Sequence, residues 1–132
     1  MNLATLRVEG TGEALEAICD SLNLEIDNSW KEGEERRRGG YYSTSGFNTT
    51  IVDAENPRKM VAAIRAFLVK CRKKKIVFSN SNLSTELAIG VTVGEKEQYV
   101  ACVDLPPSDL MSLAELGISL SVAAYPASDE DD

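Results

Sequence analysis

With 132 residues, 43% of them apolar and 27% charged, the chain has the makeup of one soluble globular domain. No apolar run approaches the roughly 18 to 20 residues of a membrane helix. The start, Met1-Asn2-Leu3-Ala4-Thr5-Leu6-Arg7-Val8, has no basic stretch followed by an apolar one, so the expected location is the cytoplasm, with no membrane partner. The absence of histidine excludes Ser-His-Asp and Cys-His catalysis and histidine zinc sites, leaving carboxylate, lysine, tyrosine or thiol chemistry.

In chain order, Leu3 to Gly10 reads as a strand with Ala4, Leu6 and Val8 on one face and Thr5, Arg7 and Glu9 on the other. Thr11-Gly12-Glu13 opens a helix with Leu15, Ile18, Cys19 and Leu22 at helical spacing, running out near Asn23. Residues 25 to 40 are polar, charged and glycine-punctuated. A loop this long in a compact domain is either functional or mobile. Its Trp30 has two readings: an indole plugging the edge of the core beneath the loop, or an exposed anchor for a partner. Arg36-Arg37-Arg38 has the chemistry to hold a phosphate or carboxylate, or it balances Glu32, Glu34 and Glu35.

Tyr41 to Val52 reads as extended. Asn56-Pro57 is a helix start, with Asn at the N-cap and Pro at N1. Met60, Ile64, Phe67 and Cys71 mark the buried stripe of that helix, widened by Val61 and Leu68. Lys70, Arg72, Lys73, Lys74 and Lys75 close it, where cations suit the carbonyl end of the dipole. No aromatic stacking platform accompanies these five charges and the overall charge is acidic, so no nucleic-acid partner is expected. After the polar loop Ser79-Asn80-Ser81-Asn82, the stretch from Ser84 to Tyr125 reads as strand, strand, helix, strand. Leu87, Ile89, Val91 and Val93 alternate with Ala88, Gly90 and Thr92, Gly94 to Glu97 turns the chain, and Tyr99 to Leu105 is the second apolar run. Pro106-Pro107-Ser108-Asp109 opens a short helix carrying Leu110, Leu113 and Ala114, closed by Gly117. Ile118, Leu120, Val122 and Ala124 alternate with Ser119, Ser121 and Ala123 in the last strand.

This order predicts an α+β fold: a mainly antiparallel sheet with about three helices packed on one face. Residues 1–127 form the expected domain and 128–132 an acidic disordered tail. The other sheet face carries small residues, Ala88, Gly90, Thr92, Ser119, Ser121 and Ala123. That suits a second layer, which the long loop, another subunit or a partner would supply. Cys19, Cys71 and Cys102 are far apart, with no C-x-x-C, and are expected to be small buried hydrophobes, with no metal and no cofactor. Charge is uneven. Residues 1–75 hold thirteen basic and eleven acidic side chains, whereas 76–132 hold only Lys96 against ten acids. Such a surface steers basic partners toward it, unless it serves only for solubility.

Leu6-Arg7-Val8-Glu9-Gly10, Ser29-Trp30-Lys31-Glu32-Gly33, Gly40-Tyr41-Tyr42-Ser43-Thr44-Ser45 and the closing stretch from Leu113 to Val122 resemble a small bacterial family, catalogued as domain of unknown function four-two-seven-nine. The resemblance spans nearly the whole chain and rests on short, mostly structural motifs. It implies an α+β fold and supplies no catalytic residues. Small acidic domains of this sort often serve as immunity proteins in bacterial toxin systems, an analogy of class. The expected function is therefore non-enzymatic: an immunity protein that masks a basic surface of a cognate toxin domain. Trp30 and Tyr42 would be its anchors, and Glu86, Glu95, Glu97 and Asp104 its charges. Two alternatives stand beside it. One is a housekeeping or regulatory module that binds a small ligand or forms a homodimer through its sheet face. The other is a carboxylate enzyme assisted by metal at Asp27, Glu32, Glu34 or Glu35.

Overall fold

The computed structural model describes residues 1–79, 82–94, 96 and 98–127. Glu95, Glu97 and the acidic stretch 128–132 lie outside the described residues. The elements are β1 (Asn2–Gly10), α1 (Gly12–Leu22), β2 (Asn28–Trp30), β3 (Ser45–Asp53), α2 (Pro57–Lys73), β4 (Leu83–Val93), α3 (Pro107–Leu116) and β5 (Ile118–Pro126). The five strands form one sheet in the order β2-β3-β1-β4-β5. Every neighbouring pair is antiparallel except β4 and β5, which run parallel. The α+β architecture with a mainly antiparallel sheet is thus the observed one.

Period-2 patterning decides which sheet face is buried. Ala4, Leu6 and Val8 of β1 and Leu87, Ile89 and Val91 of β4 all point to the helix side and are at most 3% exposed. Register pairs Leu6 with Leu87 and Ala4 with Ile89, so the apolar rows meet across the ladder. The helices close over them with Leu15, Ile18 and Leu22 of α1, Met60, Ile64, Phe67, Leu68 and Cys71 of α2, and Leu113 and Leu116 of α3. Each such side chain contributes about 1.5–3 kcal/mol by leaving water. Asn56 caps α2 by accepting the Lys59 amide, with Pro57 in the first turn, as the sequence signals. Gly117 ends α3 in the left-handed region, φ 80°, where a Cβ would also strike Ser79.

Three expectations need correction. Tyr99 to Leu105 is not a strand. Its alternation is real, since Ala101, Val103 and Leu105 are half-buried against the core and Cys102 and Asp104 are exposed. However, the segment is part of the crossover that returns the chain so that β5 can run parallel to β4, and it joins no ladder among the described residues. Second, the loop 25–40 contains β2, and β3 begins only at Ser45. Between them lies a compact hairpin-like excursion. The Gly33 amide donates to the Tyr42 carbonyl and the Tyr42 amide to the Glu34 carbonyl, both at 2.9 Å, and Arg36 and Gly40 close the tip. Third, the cysteines differ among themselves. Cys71 is buried, Cys19 is partly buried, and Cys102, which lies in the crossover, is exposed.

Candidate functional site

The helices cover one face of the sheet, and the other face carries the residues of interest. On β1 the outward positions are Thr5, Arg7 and Glu9, alternating with the buried Ala4, Leu6 and Val8. β2 pairs with β3 so that Trp30 stands opposite Gly46. The indole packs directly against that glycine, since a Cβ there would come within 2.7 Å of the indole Cε2. Trp30 is 5% exposed yet stands outside the main core cluster. It plugs the open face of the sheet rather than the helix-side core. Its Nε1 is buried without a hydrogen-bond partner among the described residues.

Four side chains stack here in a row. The Arg7 guanidinium carbon is 4.6 Å from the Trp30 ring centre. Tyr42 stacks on the indole with centroids 5.2 Å apart and planes at 20°. The Arg36 guanidinium carbon then lies 5.4 Å from the Tyr42 ring centre. The aromatic pair contributes about 0.5–1.5 kcal/mol beyond burial. Each cation adds about 0.5–2 kcal/mol, depending on desolvation. The loop excursion brings Tyr42 and Arg36 to the stack, so its glycines Gly33, Gly39 and Gly40, all at positive φ, position this site.

Acids flank the stack. Arg7 Nε donates to Glu9 Oε1 at 2.9 Å, and Glu86 stands opposite Arg7 across the β1–β4 ladder. Arg7, Glu9, Ser84 and Glu86 line a hollow of about 260 Å³. A second hollow of about 410 Å³ adjoins it, sharing Glu9 and Ser84 and adding Thr11, Glu32, Ser43 and Thr44. The whole is a shallow surface lined by acids and hydroxyls beside the aromatic stack, with Arg7 paired to Glu9 within it.

Of the residues expected to bind a partner, the structure brings Trp30, Tyr42 and Glu86 together on this face. Trp30 is buried and Tyr42 half-buried, so Tyr42 is the more accessible of the two aromatics. Asp104 lies elsewhere, in a groove of about 700 Å³ with Arg58 and Arg65 beside the start of α2. Glu95 and Glu97 lie outside the described residues. Arg7, Glu9 and Gly46 escape the sequence reading as site residues, although a glycine inside a strand is itself a sign of close approach.

Among the described residues no three His, Cys, Asp or Glu side chains gather as a metal site. Asp27 accepts a hydrogen bond from Thr50 Oγ1 at its carboxylate and does not join Glu32, Glu34 and Glu35 in such a group. Burial pushes the Cys71 thiol up to about 11, against which Lys74 and Lys70 pull only partly. Burial, with help from Asp20 and Glu16, also raises Cys19. Neither thiol is an activated nucleophile. Two of the second-half acids are tied to α2: Asp109 receives Arg65 in a two-pronged pair with a shortest contact of 2.7 Å, and Glu115 receives Arg72 at 2.9 Å. Among the described residues no helix is long and apolar enough to cross a membrane. No family model, no curated protein and no solved structure matches this chain.

Proposed function

We propose that the chain is a non-enzymatic protein-binding domain of the cytoplasm, most concretely an immunity protein that masks a basic surface of a cognate bacterial toxin. The observation that carries this reading is the open sheet face. There Tyr42, stacked on Trp30, stands beside a surface lined by Glu32, Glu86 and the Arg7-paired Glu9. Aromatic side chains held rigid in advance lose little entropy on binding, which is why they recur at interface hot spots. Carboxylates around them select arginine or lysine on the partner and speed encounter. The excess of acid over base after residue 75 adds long-range attraction of the same sign. Membership of the four-two-seven-nine family belongs to the same proposal and rests on the short stretches quoted above.

A second reading, a small-ligand module, has the 700 Å³ groove of Arg58, Arg65 and Asp104 in its favour. The two readings separate in one experiment, capture from lysate of the native host at low and then high salt. A basic protein retained at low salt and released at high salt supports the protein-binding reading. Retention of no basic protein, even when the toxin system is induced, contradicts it.

A further inference from the structure

We infer that residues 31–43 form a hinged strap that opens as one unit from the folded sheet, with the stack of Tyr42 on Trp30 as its latch. The inference rests on the protein-binding reading in one respect: the open strap uncovers the face on which a partner would sit. Every residue from Lys31 to Ser43 is exposed except Tyr42, which is half-buried. The backbone bonds of this segment close on itself. The amide of Gly33 donates to Tyr42, Glu34 to Lys31, Tyr42 to Glu34, Arg36 to Gly40 and Gly39 to Arg36. A segment folded within itself that adds no buried side chain to the core opens at far lower cost than the strands beneath it.

Among the described residues, a hydrogen bond and a ring contact join the strap to the sheet. The Glu32 amide donates to Ser45 Oγ at 3.0 Å, at the root of the strap, where opening leaves it intact. The Tyr42 ring lies 5.2 Å from the indole, nearly parallel to it, and is the contact that must break. Arg36 covers Tyr42 at 5.4 Å but belongs to the strap itself and travels with it. Gly33 sits one residue beyond the root, at φ 90° with open space around its Cα, and is free to pivot.

The closed state also carries a cost that opening relieves. Trp30 is 5% exposed, and its Nε1 donor has no hydrogen-bond partner among the described residues. An unpaired buried donor is costly, and lifting Tyr42 off the indole admits water to it. The indole itself stays behind. It belongs to β2, packs on Gly46 of β3, and has the Arg7 guanidinium of β1 at 4.6 Å. The open form therefore presents a seated tryptophan ring, with Glu9 and Glu86 on either side of Arg7, where the closed form presents Tyr42. Such a ring between carboxylates fits the flat guanidinium of a partner's arginine.

The test is native-state hydrogen exchange of the full chain in a urea series below the unfolding midpoint, beside acrylamide quenching of the single tryptophan. The amides of Gly33, Arg36 and Tyr42 are expected to share one opening constant, little changed by urea. They should exchange about a hundredfold or more faster than those of β1. In Y42A the Gly33 and Arg36 amides should exchange faster still and quenching should rise, whereas Y42F, which keeps the ring, behaves as the native chain. The β1 amides of each variant report any change in global stability. Strap amides as slow and as urea-dependent as those of β1 overturn the inference, and so do strap amides with no protection at all. These two outcomes are read on the native chain, whatever the fold of Y42A. Unchanged strap exchange in Y42A removes Tyr42 as the latch, and unchanged quenching there shows that opening does not bare the indole. No readout involves a partner, so the protein-binding reading stands or falls separately, on the lysate capture.

Discussion

Gly46 is the residue on which the open face depends, because it alone leaves room for the indole. G46A would place a methyl group within 2.7 Å of both the Trp30 Cε2 and the Val8 carbonyl oxygen. The stack must then shift, at a cost of about 1–3 kcal/mol. The urea midpoint of G46A should fall, and emission from the single tryptophan should move to the red as the ring meets water; unchanged emission would show that the indole does not rest there. Cys71 gives a second test. Its thiol ionises near 9.0 when unfolded and near 11 in the fold. Below pH 9 both states hold the proton and stability is unaffected. Between pH 9 and 11 only the unfolded chain loses it, so stability falls as pH rises, by up to about 2 kcal/mol. C71A, less stable at neutral pH because of the space left behind, should show a shallower alkaline decline than the native chain. At this scale the sequence carries the burial of Cys71, through its helical spacing with Met60, Ile64 and Phe67. It does not carry the exposure of Cys102, because a strand and an extended crossover show the same alternation.

Between elements, the ion pair of Arg65 and Asp109 fastens α3 to α2. Asp109 is 5% exposed at its side chain and Arg65 48%. The asymmetry predicts unequal losses. R65A strands a buried carboxylate and should lower stability, less than for a fully buried pair because solvent reaches one side. D109A leaves an arginine that turns into water and should cost less. Equal losses in chemical denaturation would mean that the carboxylate is solvated in the fold. Helices and central strands were legible from the sequence, since Asn56-Pro57, the Met60 stripe and the β1 and β4 alternations are local signals. The parallel placement of β5 and the loss of Tyr99 to Leu105 as a strand were not legible, because both follow from long-range pairing. β2 is three residues long, too short for any periodicity to show.

Across the whole molecule, three surfaces divide the work. The helix side holds the core, the open face carries Tyr42 and the acids, and Leu120 and Val122 stand exposed on β5 at the sheet edge. The sequence anticipated that the long loop could supply cover for the open face, and Trp30, Tyr42 and Arg36 do cover its β1–β3 half. Over β4 and β5 the small residues remain, with Met1 and Tyr125 beside Gly90. Convergence of Trp30, Tyr42 and Glu86 was not visible beforehand, since residues 30, 42 and 86 meet only through the β1 ladders. On the proposed function this face receives a basic protein. Its most direct test is parallel capture from native-host lysate at low salt with three baits: the native chain, the double variant Y42A with E86K, and V122K. A basic protein is expected to be held by the native chain and by V122K and lost from the double variant. The same protein held equally by the double variant would place binding elsewhere and contradict the account.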